Sequence, residues 1–231
     1  MPQAEFDSYV ADYEQQHRES IKLTGEDPDY FALYKIKELK RLVDQWSLDA
    51  PQILDFGSGM GNSLPGFRSC FPDTSVVSAD VSAESLGAAR KLHGGDEPQL
   101  LIEDGRIPAQ DNSFDLTFTA CVFHHIPEEE HVEWLQEMRR VTRTGGRMVI
   151  FEHNPLNPLT LDAVRRCPFD VNAVLIRAGE MRKRMAKAGW VAPKTNYHLF
   201  FPRALAKLRP LEAKLRWCAM GGQYSCYATA P

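Results

Sequence analysis

The chain has 231 residues, a formal net charge of -4 and a composition that is 43% hydrophobic and 25% charged. These totals fit one large or two small globular domains and exclude disordered and fibrous classes. The basic residues are scattered rather than gathered on one stripe, so no nucleic-acid surface is expected, and no run of about 18 apolar residues marks a membrane span.

In chain order, residues 5–24 read as a helix with Phe6, Tyr9, Val10 and Tyr13 on one side. GEDPD (25–29) breaks it, and a second helix runs from about Tyr30 through Ile36, Leu39, Leu42, Val43 and Trp46. QILDF (52–56) is the first strong strand, LPGFRSCF a short helix with Pro65 in its first turns, and TSVVSAD (74–80) a strand. Ser82 caps a helix through Leu92, QLLIE (99–103) is a third strand, and FDLTFTACVF (114–123) is a fourth. Pro127 and three glutamates open a helix through Val141, with arginines at its end to suit the dipole. Gly145 and Gly146 stop it before strand RMVIFE (147–152).

Residues 153–176 have little periodicity and two Asn-Pro steps, which read as turns that exclude a regular helix and suggest a loop or small substrate cap. A helix over 178–189, strand TNYHLFFP (195–202), a helical stretch rich in Leu, Lys and Arg, and strand QYSCYATA (223–230) complete the chain. KIKELKR (35–41) and MRKRMAK (181–187) read as solvated helix faces. The five cysteines form no C-x-x-C pair, and the first residues lack the apolar core of a secretion signal. Reduced thiols and a cytoplasmic location are therefore expected.

Alternating strands and helices call for an α/β fold, a mostly parallel sheet with helices on both faces. Right-handed crossovers gather the strand C-terminal ends on one edge, where open α/β sheets bind ligands. The glycines at 57, 59 and 61 sit there, at the turn after the first strand, and bare backbone lets a ligand approach closely. Their spacing departs from the dinucleotide G-x-G-x-x-G, and no Gly-Lys-Ser/Thr follows for a phosphate loop. Asp55 would repel a pyrophosphate and favours a cationic or amine-bearing ligand. Asp80, closing the second strand, suits ribose hydroxyls. Asp104, closing the third, can accept from an exocyclic adenine amine while Gly105 admits the ring. A ligand with a positive end, a ribose and an adenine satisfies all three acids.

With ILDFGSGMG, VVSADVS, EDGRIP, FDLTFTACVFHHI and RVTRTGGRMVIFEH, the chain resembles class I S-adenosylmethionine-dependent methyltransferases. The likeness covers about residues 35–155, and Glu103-Asp104-Gly105 departs mildly from the usual pattern. It implies a Rossmann-like seven-stranded sheet with a terminal antiparallel strand, the seventh lying between the fifth and sixth. It also implies one domain over 1–231 with an N-terminal helical lid (1–34) and a substrate cap (153–176). Cofactor contacts are expected at Tyr13, Asp55, Gly57, Ser58, Gly59, Asp80, Val81, Asp104, Gly105 and the Cys121 backbone. Tyrosine faces of the lid would meet the positive sulfur by cation–π attraction.

Methyl transfer needs an acceptor lone pair in line with the methyl carbon, and a hydroxyl acceptor usually needs a base. His124 and His125 follow the fourth strand and His153 the fifth, so all three belong on the catalytic edge, with His153 the first choice for the base. Glu152 would orient His153, and His17, Tyr30, Asn154, Arg165 and Arg166 are candidate substrate contacts. Catechol-type metal-dependent relatives use a cluster of Asp residues that is missing here, so no metal is expected, although two histidines and a glutamate of this region could in principle bind one. The Asn/Asp-Pro-Pro-Tyr/Phe signature of DNA amino-methylation is also missing. The expected reaction is methylation of an oxygen on a small polar or aromatic metabolite of a biosynthetic route, by a monomer or homodimer. N-methylation and a non-catalytic cofactor-binding subunit are the alternatives.

Overall fold

A computed structural model describes Glu19 and residues 21–231. The helix expected over 5–24 therefore lies almost wholly outside the described residues, and Tyr13 and His17 with it. Its last residues form only a short 3-10 turn, Lys22–Thr24, closed by Gly25 in the left-handed region.

Helix α1 (Pro28–Gln45) starts at a proline, whose fixed φ and missing N–H suit a first helical position. Strands β1 (Ile53–Phe56), β2 (Val76–Asp80), β3 (Gln99–Leu101), β4 (Phe114–Ala120) and β5 (Thr142–His153) alternate with α2 (Leu64–Cys70), α3 (Ala83–His93) and α4 (His131–Val141). Helix α5 (Pro158–Arg166), α6 (Ala178–Lys187), β6 (Val191–His198), the very short α7 (Glu212–Leu215) and β7 (Gln223–Thr229) follow. The seven-stranded sheet runs β3-β2-β1-β4-β5-β7-β6, with β7 antiparallel between β5 and β6, as the resemblance implies. The other pairings are parallel, so β1, β2, β4 and β5 end on one edge.

The alternation of side chains builds two cores. Met148 and Ile150 of β5 enter one with Leu54, Leu135, Met138 and Met181, whereas Val149 and Phe151 enter the other with Ile36, Leu39, Phe67 and Phe118. The buried stripe of α1, Ile36, Leu39, Leu42 and Val43, is the one read from its 3.6-residue spacing.

Several boundaries differ from expectation. Strand β5 begins at Thr142 directly after α4, so Gly145 and Gly146 lie inside the strand instead of stopping the helix. Strand β6 begins and ends earlier, at 191–198, because Pro193 is tolerated on a sheet edge where its missing N–H is not needed. The Leu-rich stretch is helical as expected, a 3-10 segment over 203–211 kinked at Leu205 with Pro210 inside, followed by the short α7.

The largest correction falls in 153–176, which holds a regular helix, α5. Asn157 is its N-cap, its Oδ1 accepting the Thr160 N–H at 3.0 Å, and Pro158 takes the first helical position. An Asn-Pro step is a helix start as readily as a turn. Asn157 Nδ2 also donates to the Met220 carbonyl at 2.7 Å. Replacing Asn157 by alanine is expected to cost about 1 kcal/mol, within the usual range for lost caps. Urea unfolding with an unchanged m-value would measure it, and an unaltered midpoint would remove the cap from the account.

Candidate active site

The turn after β1 is laced to the end of β2. Gly57 and Ser58 donate their N–H groups to the Ala79 carbonyl at 2.8 and 3.1 Å. Asp80 Oδ2 accepts the Gly59 N–H at 2.8 Å, and Oδ1 accepts the Ser82 N–H at 2.9 Å. Gly57 has φ +70° and a Cβ on it would stand 2.5 Å from Val122 Cγ2, so a side chain is excluded by conformation and space together. Gly59 also has positive φ, and a Cβ there would meet no atom within 4 Å. Beyond the strand ends lies a cavity of about 330 Å³ whose walls include Asp55, Gly57, Ser58, Gly59, Asp80 and Val81.

Asp55 is 2% exposed and its Oδ2 has no hydrogen-bond partner among the described residues. Burial, with the neighbouring Asp80 charge, pushes its carboxyl up to about 8. A carboxyl raised this way keeps its proton when the unfolded chain has already released one. Its contribution to stability is fully present below the unfolded value near 4 and is lost as pH rises to about 8, by up to roughly 1.4 kcal/mol per pH unit. Asp55→Asn is expected to flatten the decline of ligand-free Tm over that window and to leave the variant the more stable form at pH 8. Parallel Tm profiles for the two proteins would refute the assignment.

The same cavity is lined by three imidazoles. His124 Nδ1–H donates to Glu152 Oε2 at 2.6 Å, and Glu152 Oε1 accepts the N–H groups of Val122 and Phe123 at 3.1 and 2.8 Å. Asp170 reaches two of these imidazoles from beyond α5, its Oδ1 lying 3.6 Å from His124 Nε2 and 3.3 Å from His125 Nε2. Burial alone would lower the His124 pKa, but Glu152 and Asp170 outweigh it and lift it to about 10. Burial and the charge of His124 lower that of His125. The His153 ring centroid is 5.1 Å from that of His124. Against the lowering effect of burial, the adjacent Cys121 raises the His153 pKa. Burial would raise the Cys121 thiol, yet Lys35 and His153 hold it down at about 7. Cys121 itself sits at φ +60°, rare for a residue with a side chain, with its N–H on the Phe151 carbonyl at 2.8 Å.

The expected site residues divide accordingly. His124, His125, His153, Cys121 and Tyr30 line the cavity together with the cofactor-side residues. Tyr30 lies with the Arg209 guanidinium 4.7 Å from its ring centroid. Glu152 is wholly buried, and its hydrogen bond goes to His124 rather than to His153. Asp104 and Gly105 stand outside the lining. Strand β3 stops at Leu101, and Asp104 falls in the turn that pairs Glu103 with Arg106, exposed to solvent, while Ile102 takes the cavity wall. Asn154 is also outside: its amide donates to the Ala219 and Gly221 carbonyls and its Oδ1 accepts the Leu156 N–H, which ties the β5 end to the β7 entry. Arg165 and Arg166 are exposed on α5, and Arg166 pairs with Asp162.

Lys35, Phe200, Phe201, Arg209 and Gln223 line the cavity without having been singled out in the sequence. Lys35 had been read as part of a solvated face. Phe200, Phe201 and Arg209 come from the connection between β6 and β7, where no periodicity signals a wall, and Gln223 opens β7.

Residues 54–150 match a family model described as a methyltransferase domain. The matched segment lies within the one whose motifs resemble the class I S-adenosylmethionine-dependent methyltransferase family. The chain is 29% identical over 160 residues to a demethylmenaquinone methyltransferase of Deinococcus radiodurans, covering 68% of this chain and 65% of that protein. It is 33% identical over 118 residues to a ubiquinone/menaquinone biosynthesis C-methyltransferase of Hahella chejuensis, covering 48% and 47%. The chain thus spans less than two thirds of the length of these relatives. A structure from Thermotoga maritima, described as an S-adenosylmethionine-dependent methyltransferase and possible histamine N-methyltransferase, superposes with a TM-score of 0.70 over 98% of both chains. At 18% identity that likeness speaks for the fold.

S-adenosylmethionine is the cofactor of this family, and the residues present fit it. The unsatisfied Asp55 oxygen suits a positively charged group, the open side of Gly59 admits a ligand against backbone, and Asp80 stands where the second strand ends. No helix among the described residues is long and apolar enough to cross a membrane.

Proposed function

We propose that this methyltransferase domain moves a methyl group from S-adenosylmethionine to an oxygen of a small polar metabolite. When bound, the cofactor supplies a methyl on a positive sulfur, which an in-line nucleophile takes while sulfur keeps the bonding electrons. The observation that carries the reading is one cavity lined both by the glycine turn with its two carboxyl groups and by three imidazoles.

Asp80 holds the glycine turn and faces the ribose. Lys35 offers its ammonium to the carboxylate of the cofactor's amino acid, and a cationic group beside Asp55 draws that carboxyl into its charged form. Tyr30 and the segment 21–35 close over this end as the described part of the N-terminal lid, and 153–176 acts as the substrate cap. On the acceptor side Glu152 fixes the tautomer of His124, and Asp170 joins the cap to both imidazoles of the β4 turn. His153 is the base that takes the acceptor proton. A hydroxyl is a weak nucleophile until its proton is removed, whereas a neutral amine attacks before losing one, so such help favours oxygen.

Calorimetry with S-adenosylmethionine and its demethylated product tests the first half, with micromolar saturation expected. Incorporation of labelled methyl from the cofactor into fractionated metabolite extract tests the second. The product's lability separates an O-methyl ester from an ether, and either from an N-methyl amine. Absence of heat with both cofactor forms would overturn the proposal at its root.

A further inference from the structure

Two imidazoles and a carboxylate converge on one wall of this cavity. His124 Nε2, His125 Nε2 and an oxygen of Asp170 lie within 4.8 Å of one another. The Asp170 oxygen is 3.6 and 3.3 Å from the two nitrogens, long for hydrogen bonds. Atoms each bound about 2.1 Å from a single ion at tetrahedral angles would stand about 3.4 Å apart, which matches these separations. His124 is 2% and Asp170 8% exposed, so the group is fixed by packing rather than spread on a surface.

A second observation points the same way. His124 gives its Nδ1–H to a wholly buried glutamate, and that glutamate is itself pinned by the Val122 and Phe123 N–H groups. This carboxylate–histidine pair fixes the ring and turns its Nε2 toward Asp170. Metal-ligating histidines are commonly oriented in that way. The helical 3-10 turn Phe123–His125 places both rings side by side, with centroids 4.1 Å apart. The Val174 N–H also donates to the His124 carbonyl at 2.9 Å, which helps hold the segment that carries Asp170 against the turn.

We propose that His124, His125 and Asp170 form a binding site for a divalent transition metal, with zinc the natural occupant of a two-histidine, one-carboxylate set. Three protein ligands leave at least one coordination position, and it faces the cavity in which the acceptor is placed. On the reading of the cavity given above, that position takes the acceptor oxygen. Coordination there lowers the affinity of a hydroxyl for its proton, which His153 then removes. The acceptor class follows: a hydroxyl or carboxylate-bearing small molecule able to ligate a metal. Asp170 lies far along the chain from the His-His pair, and so no ligand spacing announces the set.

The test begins with protein treated with a chelator and exchanged into metal-free buffer. Zn²⁺ is titrated by calorimetry and Co²⁺ by visible absorbance, both without cofactor or acceptor. One equivalent of saturable binding is expected, with d–d bands of low coordination number for cobalt. Asp170→Asn and His125→Ala are each expected to weaken Zn²⁺ binding by about 100-fold, and Glu152→Gln by about 10- to 100-fold through loss of the oriented His124. Circular dichroism identifies which variants fold, and His125→Ala reads the same site if Asp170→Asn does not. No saturable binding by the folded wild type, or equal affinity in wild type and the folded ligand variants, would overturn the site. Labelled-methyl transfer is followed in parallel. Transfer without zinc binding removes the metal and leaves the methyltransferase reading, whereas zinc binding without transfer does the reverse.

Discussion

Asp80→Ala is expected to weaken binding of S-adenosylmethionine and its demethylated product by about 100-fold or more, and to take methyl incorporation below detection at micromolar cofactor. Two contributions add. On the proposed reading the carboxylate at the end of β2 accepts from vicinal ribose hydroxyls, and hydrogen bonds to a charged group are worth about 1.5–3 kcal/mol each. The same group also holds the glycine turn, since its two oxygens accept the Gly59 and Ser82 N–H groups at 2.8 and 2.9 Å. Alanine removes both the ligand contact and the tether. Asp80→Asn separates them in part, because its one carbonyl oxygen can still accept from the turn while the charge is gone. An intermediate loss, about 10-fold, is expected for it. Calorimetry on the folded variants provides the measurement. Wild-type affinity in Asp80→Ala would move the ribose elsewhere and leave Asp80 as a loop tether alone.

The cofactor half of this site was legible because each of its parts is local. A buried strand, an acid, alternating glycines and a second acid closing the next strand are all short-range patterns, and parallel pairing does the rest of the assembly. Asp104 shows where that logic stops. Its position in sequence is the expected one, but β3 ends at Leu101 and the following turn rotates the acid out to solvent. The acceptor half depends on contacts between distant segments. His124 meets Glu152 only because β4 and β5 are neighbours, and it meets Asp170 only because α5 forms and the chain folds back. The Asn-Pro steps were read as breaks, which hid that helix. Asn154 looked like a polar substrate contact for its place after β5. In fact its side chain satisfies the carbonyls of Ala219 and Gly221, groups that burial would otherwise leave unpaired.

His153→Ala is expected to lower the rate of labelled-methyl transfer by about 100-fold, within the range for loss of a general base, with cofactor affinity unchanged. The residue ends β5 on the strand edge and lines the cavity. Its neighbours set its protonation: Cys121 raises its pKa against burial, while the charge of His124 lowers it. Cys121→Ser therefore serves as the companion variant. It removes the thiol whose own pKa of about 7 is held down by Lys35 and His153, and it keeps the size of the side chain. If His153 acts on the acceptor proton, Cys121→Ser leaves a measurable rate, whereas His153→Ala does not regain it under any thermal or ionic condition in which it stays folded. A merely structural His153 would instead show loss of Tm in proportion to loss of rate, together with weaker cofactor binding from a distorted β5 edge. Unchanged transfer by folded His153→Ala would end its assignment as the base and leave proton removal to solvent.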